Sequence, residues 1–235
     1  MNNNHIVKSY DRELNDLDKI IAEMGGLAEA QIADAIDALM KRDEEKAARV
    51  VASDKRLDML EHEIDEQAIK MIALRQPMGE DLRFIVSALR CASAIERVGD
   101  YAKNVAKRAV ALSNTTPIGP AKTVVRMGRI AQTMLKDVLD AYLEHDVAKA
   151  DAVRERDEEV DALHTTMFRE LVTYMMEDPR QITSCTHLLF VAKNIERIGD
   201  HATNIAEHIH FMVTGELLVD ERVKSDDSSY LVVEE

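Results

Sequence analysis

A seven-residue motif occurs twice in this sequence, one hundred residues apart. Residues 94–100 read AIERVGD, and residues 194–200 read NIERIGD. Upstream landmarks recur in the same order at an offset of 103 residues, including the acidic pair Asp54 and Asp58, which matches Asp157 and Asp161. Self-similarity of this kind indicates that one structural unit occurs twice. Any fold for this chain must therefore be built from two copies of the same unit.

The spacing of apolar residues predicts that this unit is helical. Apolar side chains recur every three or four residues, as in the seam of Ile95, Val98, Ala102 and Val105. Only eight Gly and four Pro occur in 235 residues, and Trp is absent, which leaves few turns for a sheet-based fold. Ala, Leu, Met, Glu, Lys and Arg, which lose least in a helix, dominate instead. We predict an all-α protein.

A few breaks divide the chain into six predicted helices. Asp43 is a good cap, Pro77 and Pro179 end two segments, and residues 113–120 (SNTTPIGP) form a linker. The predicted helices cover roughly residues 9–42, 43–76, 80–112, 122–144, 146–177 and 180–214. Long helices with short connections pack as antiparallel bundles. We therefore predict two tandem, pseudo-symmetric three-helix bundles.

This division also sets the domain boundaries. The first bundle spans 9–112, the linker 113–121 and the second bundle 122–214, with an acidic, loosely ordered tail at 215–235.

Charge and cysteine usage limit the possible functions. The formal net charge is −14, which argues against nucleic acid as a partner because phosphate backbones require clustered Lys and Arg. No run approaches 18 apolar residues, and the first residues lack the pattern of a secretory signal. The two cysteines, Cys91 and Cys185, form no CxxC pair. We expect a cytoplasmic protein with reduced thiols.

Acidic residues follow a four-residue spacing on two helices of each unit. Such a spacing places side chains along one stripe of a helix. The stripes on the third helices comprise Glu96, Asp100 and Asn104 in the first unit, and Glu196, Asp200 and Asn204 in the second. The middle helices carry Asp54, Asp58 and Glu61, and then Asp157, Asp161 and His164. On a helical wheel, the stripes of the third helices point away from the apolar seam.

Facing carboxylates repel unless something positive lies between them. Carboxylate oxygens are hard ligands that suit Mg²⁺, Mn²⁺ or iron, and His164 would add a softer donor that also suits Zn²⁺. We hypothesise that each unit binds a divalent or trivalent metal ion through its paired stripes, with Asn104 and Asn204 supporting the ligands. The alternative is a solvated acidic surface, which is the common role of a single D-x-x-x-D pair.

A glycine precedes the last aspartate of the motif in both units. Gly in a helix interior costs about 1 kcal/mol relative to Ala. Gly99 and Gly199 therefore indicate that something approaches the backbone closely. Either another helix or a ligand would meet this description.

Together these motifs resemble the PhoU family, over roughly residues 9–214. The doubled E-R-[VI]-G-D motif is the most specific feature of the resemblance. The matching segments are YDREL at 10–14, MG at 24–25, QP at 76–77 followed by DLR at 81–83, IERVGDYAKN at 95–104, YMMEDPR at 174–180 and IERIGDHATN at 195–204. The second unit departs from the pattern with PRQIT at 179–183, so any role of Asp81 and Arg83 is asymmetric.

The resemblance implies a cytoplasmic, non-enzymatic regulator. Members of the family keep the phosphate-starvation response off and restrain phosphate uptake. They are thought to link the ATPase of a high-affinity phosphate ABC transporter to a sensor histidine kinase, reaching the membrane only through proteins. They are often homodimers. The metal positions implied for this chain are Asp54, Asp58, Glu96 and Asp100, and then Asp157, Asp161, Glu196 and Asp200.

Two other classes of protein remain as alternatives. A di-iron carboxylate enzyme would need Glu-x-x-His motifs on two helices, but this chain has only Asp161-x-x-His164, once. A helical scaffold without a signalling role would need no metal.

Overall fold

The computed structural model describes residues 8–117 and 119–218, and within these ranges every regular element is a helix. Most of the predicted tail, residues 219–235, lies outside the described residues. Across the described part of the chain, no helix combines the length and apolar character needed to cross a bilayer.

Six long helices confirm the predicted all-α fold. Their ends lie within two residues of the predicted positions. They are α1 (Lys8–Lys41), α2 (Glu44–Arg75), α3 (Glu80–Ser113), α4 (Ala121–Glu144), α5 (Val147–Glu177) and α6 (Ile182–Thr214), with a short 3₁₀ turn at Pro179–Gln181 before α6.

The turns between helices also repeat. Asp43 caps α2 by accepting a hydrogen bond from the Lys46 backbone N–H at 2.9 Å, and Asp146 caps α5 in the same way through Lys149 at 3.0 Å. These caps satisfy backbone donors that the first helical turn leaves unpaired. The equivalent position thus starts the middle helix of each half.

The halves pack through two helix pairs. Helices α1–α3 form the first half and α4–α6 the second, and the halves meet where α3 packs on α6 and α1 on α4. Along the α3–α6 contact, Arg90 lies over the Phe211 ring, Tyr101 beside His201, and Arg108 over Phe190. Residue numbers rise on α3 as they fall on α6, so the two helices are antiparallel.

Glycine allows close approach where α4 meets α1. A Cβ at Gly128 would overlap Cδ1 of Ile36, a buried side chain on α1. By contrast, a Cβ at the exposed Gly26 would meet nothing within 4 Å. Substitutions at these two positions therefore distinguish the effect of a helical glycine on packing from its effect on the stability of the helix itself.

We expect Gly128→Ala to lower the free energy of unfolding by about 1–3 kcal/mol, because the added methyl overpacks the α1–α4 contact. Gly26→Ala is the matched control and should raise the free energy of unfolding by up to about 1 kcal/mol through helix propensity. Urea denaturation followed by circular dichroism measures both. Equal effects of the two substitutions would contradict the packing role of Gly128.

Candidate metal site

The structure brings the acidic stripes of each half onto neighbouring helices. Helix α2, with Asp54, Asp58 and Glu61, packs on α3, and α5, with Asp157 and Asp161, packs on α6. Each pair of stripes therefore shares one helix–helix contact.

Several members of the stripes are buried, so the alternative of a solvated acidic surface does not describe them. Helix α3 packs on α1, α2 and α6, and α6 packs on α3, α4 and α5, so little of either surface remains for solvent. The helical wheel placed these residues correctly relative to the seam, but a second and a third neighbour cover the opposite side. The buried members are Asp54, Asp157, Asp161, His164 and Glu196.

The remaining candidates, Asp58, Glu61, Glu96, Asp100, Asn104, Asp200 and Asn204, are half-buried. The prediction that they hold metal stays a prediction.

In the first half, a lysine already lies between the two stripes. The Lys103 ammonium is 2.5 Å from Oδ2 of Asp54 on α2 and 2.5 Å from Oδ1 of Asp100 on α3. One cationic group therefore touches carboxylates from both helices. Burial acts against this ammonium, but the hydrogen bonds that it donates to Asp100 and Asp54 raise its pKa well above the usual value for lysine. It stays charged and offsets part of the negative charge of the two carboxylates.

In the second half, the equivalent of Lys103 is Thr203. Its hydroxyl donates a hydrogen bond to the backbone oxygen of Asp200 at 2.7 Å. Glu196 is bonded to Lys193 through Oε1 at 3.0 Å, while its Oε2 is buried and accepts no hydrogen bond from the described residues. Burying a carboxylate oxygen that accepts no hydrogen bond lowers the stability of the folded protein. The second half thus has no cation at the position of Lys103, and its Lys193 pairs with Glu196 on the same helix.

The two motif glycines serve different contacts. A Cβ at Gly99 would overlap the buried side chain of Leu57 and come within 2.9 Å of Oε1 of Gln31. A Cβ at Gly199 would lie 2.5 Å from Oδ1 of Asp157. In the first half, glycine lets helices pack tightly. In the second half, it lets an acidic side chain of α5 lie against the backbone of α6.

The donor set of the second half fits a cation. Carboxylates from α5 and α6 and the ring of His164 are oxygen and nitrogen ligands of the kinds that Mg²⁺, Mn²⁺, iron and Zn²⁺ accept. The buried Oε2 of Glu196 is an acceptor that a cation would satisfy. Over the described residues, no three Asp, Glu, His or Cys side chains already form a ligand group, so binding requires side chains to rotate.

Burial perturbs the glutamate of each motif. It raises the pKa of Glu96 to about 7, with a further contribution from Asp100 and an opposing one from Arg97. It also raises the pKa of Glu196, with Lys193 acting in the opposite direction. Both glutamates therefore resist losing their protons in the folded protein, unless a positive charge arrives.

Two lysines that contact the stripes are not among the predicted site residues. Lys103 follows Asp100 by three residues, and Lys193 precedes Glu196 by three. This spacing makes ion pairs on a helix and was the available signal. The contact between Lys103 and Asp54 also depends on how α2 packs against α3. The spacing of residues along α3 does not predict that packing.

These features define a class of all-helical, duplicated proteins with acidic stripes at their helix contacts. A family model described as the PhoU domain matches residues 21–109 and again residues 124–209. The chain is 55% identical to a phosphate-specific transport system accessory protein PhoU homolog of Caulobacter vibrioides, over 94% of this chain and 97% of the relative. A homolog of the same name from Rhizobium meliloti is 51% identical over 98% of both chains.

Solved structures agree with these sequence relatives. The crystal structure of PhoU from Pseudomonas aeruginosa matches with a TM-score of 0.85 at 39% identity, over 88% of this chain and 100% of that chain. The phosphate transport system regulatory protein PhoU from Streptococcus pneumoniae matches with a TM-score of 0.83 at 28% identity, over 89% and 99%. The chain belongs to the PhoU family.

The raised pKa of Glu96 predicts a pH dependence of stability in the metal-free protein. Because the folded state holds this proton up to about pH 7, the Glu96 contribution to stability is present below about pH 4.5 and is lost as the pH rises through 7. Full shielding from water would make this loss about 3 kcal/mol, but solvent screens a half-buried carboxyl, and we expect about 1 kcal/mol.

Glu96→Gln should therefore flatten the decline in the free energy of unfolding between pH 5 and 8. Urea denaturation in the presence of EDTA measures it. Glu66→Gln, at an exposed position on α2, is the control and should leave the wild-type profile in place. A Glu96→Gln profile that parallels wild type would show that the protonated form of Glu96 is not favoured by the fold.

Proposed function

We propose that this protein is a non-enzymatic, cytoplasmic regulator that keeps the phosphate-starvation response off and modulates phosphate uptake. In this proposal, it links the ATPase of a high-affinity phosphate ABC transporter to a sensor histidine kinase. The observation that carries the proposal is the family relationship, which spans both halves of the chain. The relatives are named as accessory or regulatory proteins of phosphate transport.

The surfaces of the protein are compatible with protein partners. Exposed apolar side chains occur on α2 and just after it, including Met59, Ile69, Leu74 and Met78. The net charge of −14 disfavours nucleic acid. A homodimer, with contact to membrane complexes only through proteins, is part of the same proposal and rests on the family resemblance.

The proposal includes a metal ion in the second half, held by Asp157, Asp161, Glu196 and Asp200 with His164. A bound cation supplies positive charge between α5 and α6, and thereby joins the two helices. The support is chemical: Glu196 and Asp157 are buried, and Thr203 replaces the lysine that balances the first half. Burial of carboxylates is favourable only with compensating charge or hydrogen bonds.

Metal binding should accordingly be stronger in the second half. After removal of metal with EDTA, incubation with Mn²⁺, Fe²⁺, Mg²⁺ or Zn²⁺ and desalting, we expect wild type to retain at least about one ion of one of these metals per chain. Asp157→Asn/Glu196→Gln should lose most of it, because two anionic ligands become neutral. Elemental analysis by mass spectrometry gives the ratio.

Two further variants make the metal test specific. Glu66→Gln/Glu158→Gln removes two negative charges at exposed positions and should leave metal content unchanged. Lys103→Gln should increase metal retention, because the ammonium no longer occupies the space between Asp54 and Asp100. Equal metal content in all variants would contradict the assignment of these ligands.

A starvation reporter in a host strain lacking the gene tests the regulatory role. In high phosphate, deletion should switch the reporter on, and the wild-type gene should restore silence. The variant Glu96→Gln/Asp100→Asn/Glu196→Gln/Asp200→Asn, at normal protein level, should fail to restore it. This follows if charge balance at the helix contacts controls the signalling conformation.

The reporter tests the regulatory role of the protein and the part played by the acidic stripes separately. A reporter that stays silent after deletion would refute the regulatory proposal and favour a scaffold. If deletion activates the reporter but the fourfold variant restores full silence, regulation stands and the acidic stripes have no part in it. The exposed pair Glu66→Gln/Glu158→Gln serves again as the charge-matched reference for protein level and rescue.

A further inference from the structure

A basic groove lies between α3 and α6. It encloses about 560 Å³ and is open to solvent. Its cations are Lys107 and Arg108 from α3, and Lys193 and Arg197 from α6, and its described lining residues include no aspartate or glutamate. Such a concentration of positive charge is unusual in a chain whose net charge is −14.

The arginines of the groove are held in place by aromatic side chains. The Arg108 guanidinium lies 4.1 Å from the centre of the Phe190 ring, and its Nη1 is 3.3 Å from Nδ1 of His187. The Arg197 guanidinium lies 5.6 Å from the centre of the Tyr101 ring. These contacts orient the guanidinium groups without neutralising them.

Most of the positive charge in the groove is not paired with a carboxylate. Among the described residues, no carboxylate oxygen lies within 4.0 Å of the cationic nitrogens of Lys107, Arg108 or Arg197, and only Lys193 is paired, with Glu196 at 3.0 Å.

Elsewhere, arginines pair across helices at 2.5–2.7 Å, as in Arg75 with Glu13 and Arg126 with Glu159. The two arginines of the groove, Arg108 and Arg197, have no such carboxylate within 4.0 Å among the described residues.

The internal repeat provides a comparison within the same molecule. The offset of 100 residues relates Lys107 to Glu207, Arg108 to His208, and Lys193 to Ser93, while Arg197 corresponds to Arg97. Arg97 itself is bonded to an acidic residue, with Nη1 3.4 Å from Oδ2 of Asp100. The equivalent region, at the other end of the α3–α6 contact, has two arginines, Arg90 and Arg97, and one glutamate, Glu207, so it is less positive than the groove. The helix packing, which both halves share, does not require a basic groove.

We propose that this groove binds a small, phosphate-bearing ligand. Guanidinium and ammonium groups together match a multiply charged oxyanion, because planar arginine forks pair with two of its oxygens and lysine adds point charge. Asn104 and Asn194 also line the groove and offer amide groups to the rest of the ligand. The volume lies in the range of small-molecule sites.

The net charge favours a small ligand over an anionic macromolecule. A nucleic acid or acidic protein surface would extend beyond the groove and meet the excess of carboxylates on the rest of the chain. A ligand that stays inside the groove meets mainly its four cations. The inference goes beyond the proposed regulatory function and does not depend on it.

Isothermal titration with three probes tests the inference. The probes are inorganic phosphate, pyrophosphate and adenosine triphosphate, in EDTA at low ionic strength so that no metal bridges protein and ligand. We expect saturable binding of at least one probe. Binding of phosphate alone would assign the groove to the free anion, and binding only of the longer probes to a phosphoanhydride. Lys107→Gln/Arg108→Gln should weaken binding at least about tenfold.

Matched variants decide whether the effect is local. Arg90→Gln/Arg97→Gln removes the same charge from the equivalent region of the other half and should change the dissociation constant less than about twofold. Lys107→Glu, at an exposed position, gives position 107 the charge of its counterpart Glu207 while leaving the Arg108 packing intact, and should also weaken binding at least about tenfold. Melting by circular dichroism confirms that each variant is folded.

The inference is overturned if wild type shows no saturable binding of any probe. It is equally overturned if Arg90→Gln/Arg97→Gln weakens binding as much as Lys107→Gln/Arg108→Gln, since the effect would then be one of overall charge. Retained binding in folded Lys107→Glu would also contradict it. None of these results depends on the starvation reporter, so the ligand site and the regulatory role fail separately.

Discussion

Helices α3 and α6 each pack against three other helices, and this crowding governs the polar chemistry of the protein. A helix with one packed face can keep its charged residues in water, whereas a helix with three neighbours brings them into helix contacts. Burial of a carboxylate is costly unless a positive charge or hydrogen-bond donor meets it. The acidic stripes are therefore sites where each half must supply compensation.

The two halves solve this problem differently. In the first, the Lys103 ammonium contacts Asp54 and Asp100 and joins α2 to α3. In the second, Thr203 takes the position of the lysine, and Glu196 keeps a buried oxygen that accepts no hydrogen bond from the described residues. The first contact thus has a lysine that joins its two helices, whereas in the second the lysine that pairs with Glu196 lies on the same helix.

Much of the fold could be predicted because helix signals are local. The apolar spacing, the Asp43 cap and the breaks at Pro77 and Pro179 gave helix ends within two residues of those observed. The site was harder, because a helical wheel orders side chains around one axis and says nothing about how many neighbours that helix has. The burial of Glu196 and the reach of Lys103 depend on α2, α5 and their packing, and the basic groove arises only when α3 meets α6.

Lys103 has a further consequence through its covalent attachment. A tethered ammonium has an effective concentration fixed by the fold, independent of the composition of the surrounding solution. In the proposed metal binding, a dissolved cation at Asp54 and Asp100 would have to displace this internal competitor, so occupancy there would rise only at higher ion concentration. The second half has no such competitor at Thr203. The proposed metal binding would therefore have different requirements at the two contacts, because Lys103 competes for the carboxylates of the first and Thr203 cannot compete in the second.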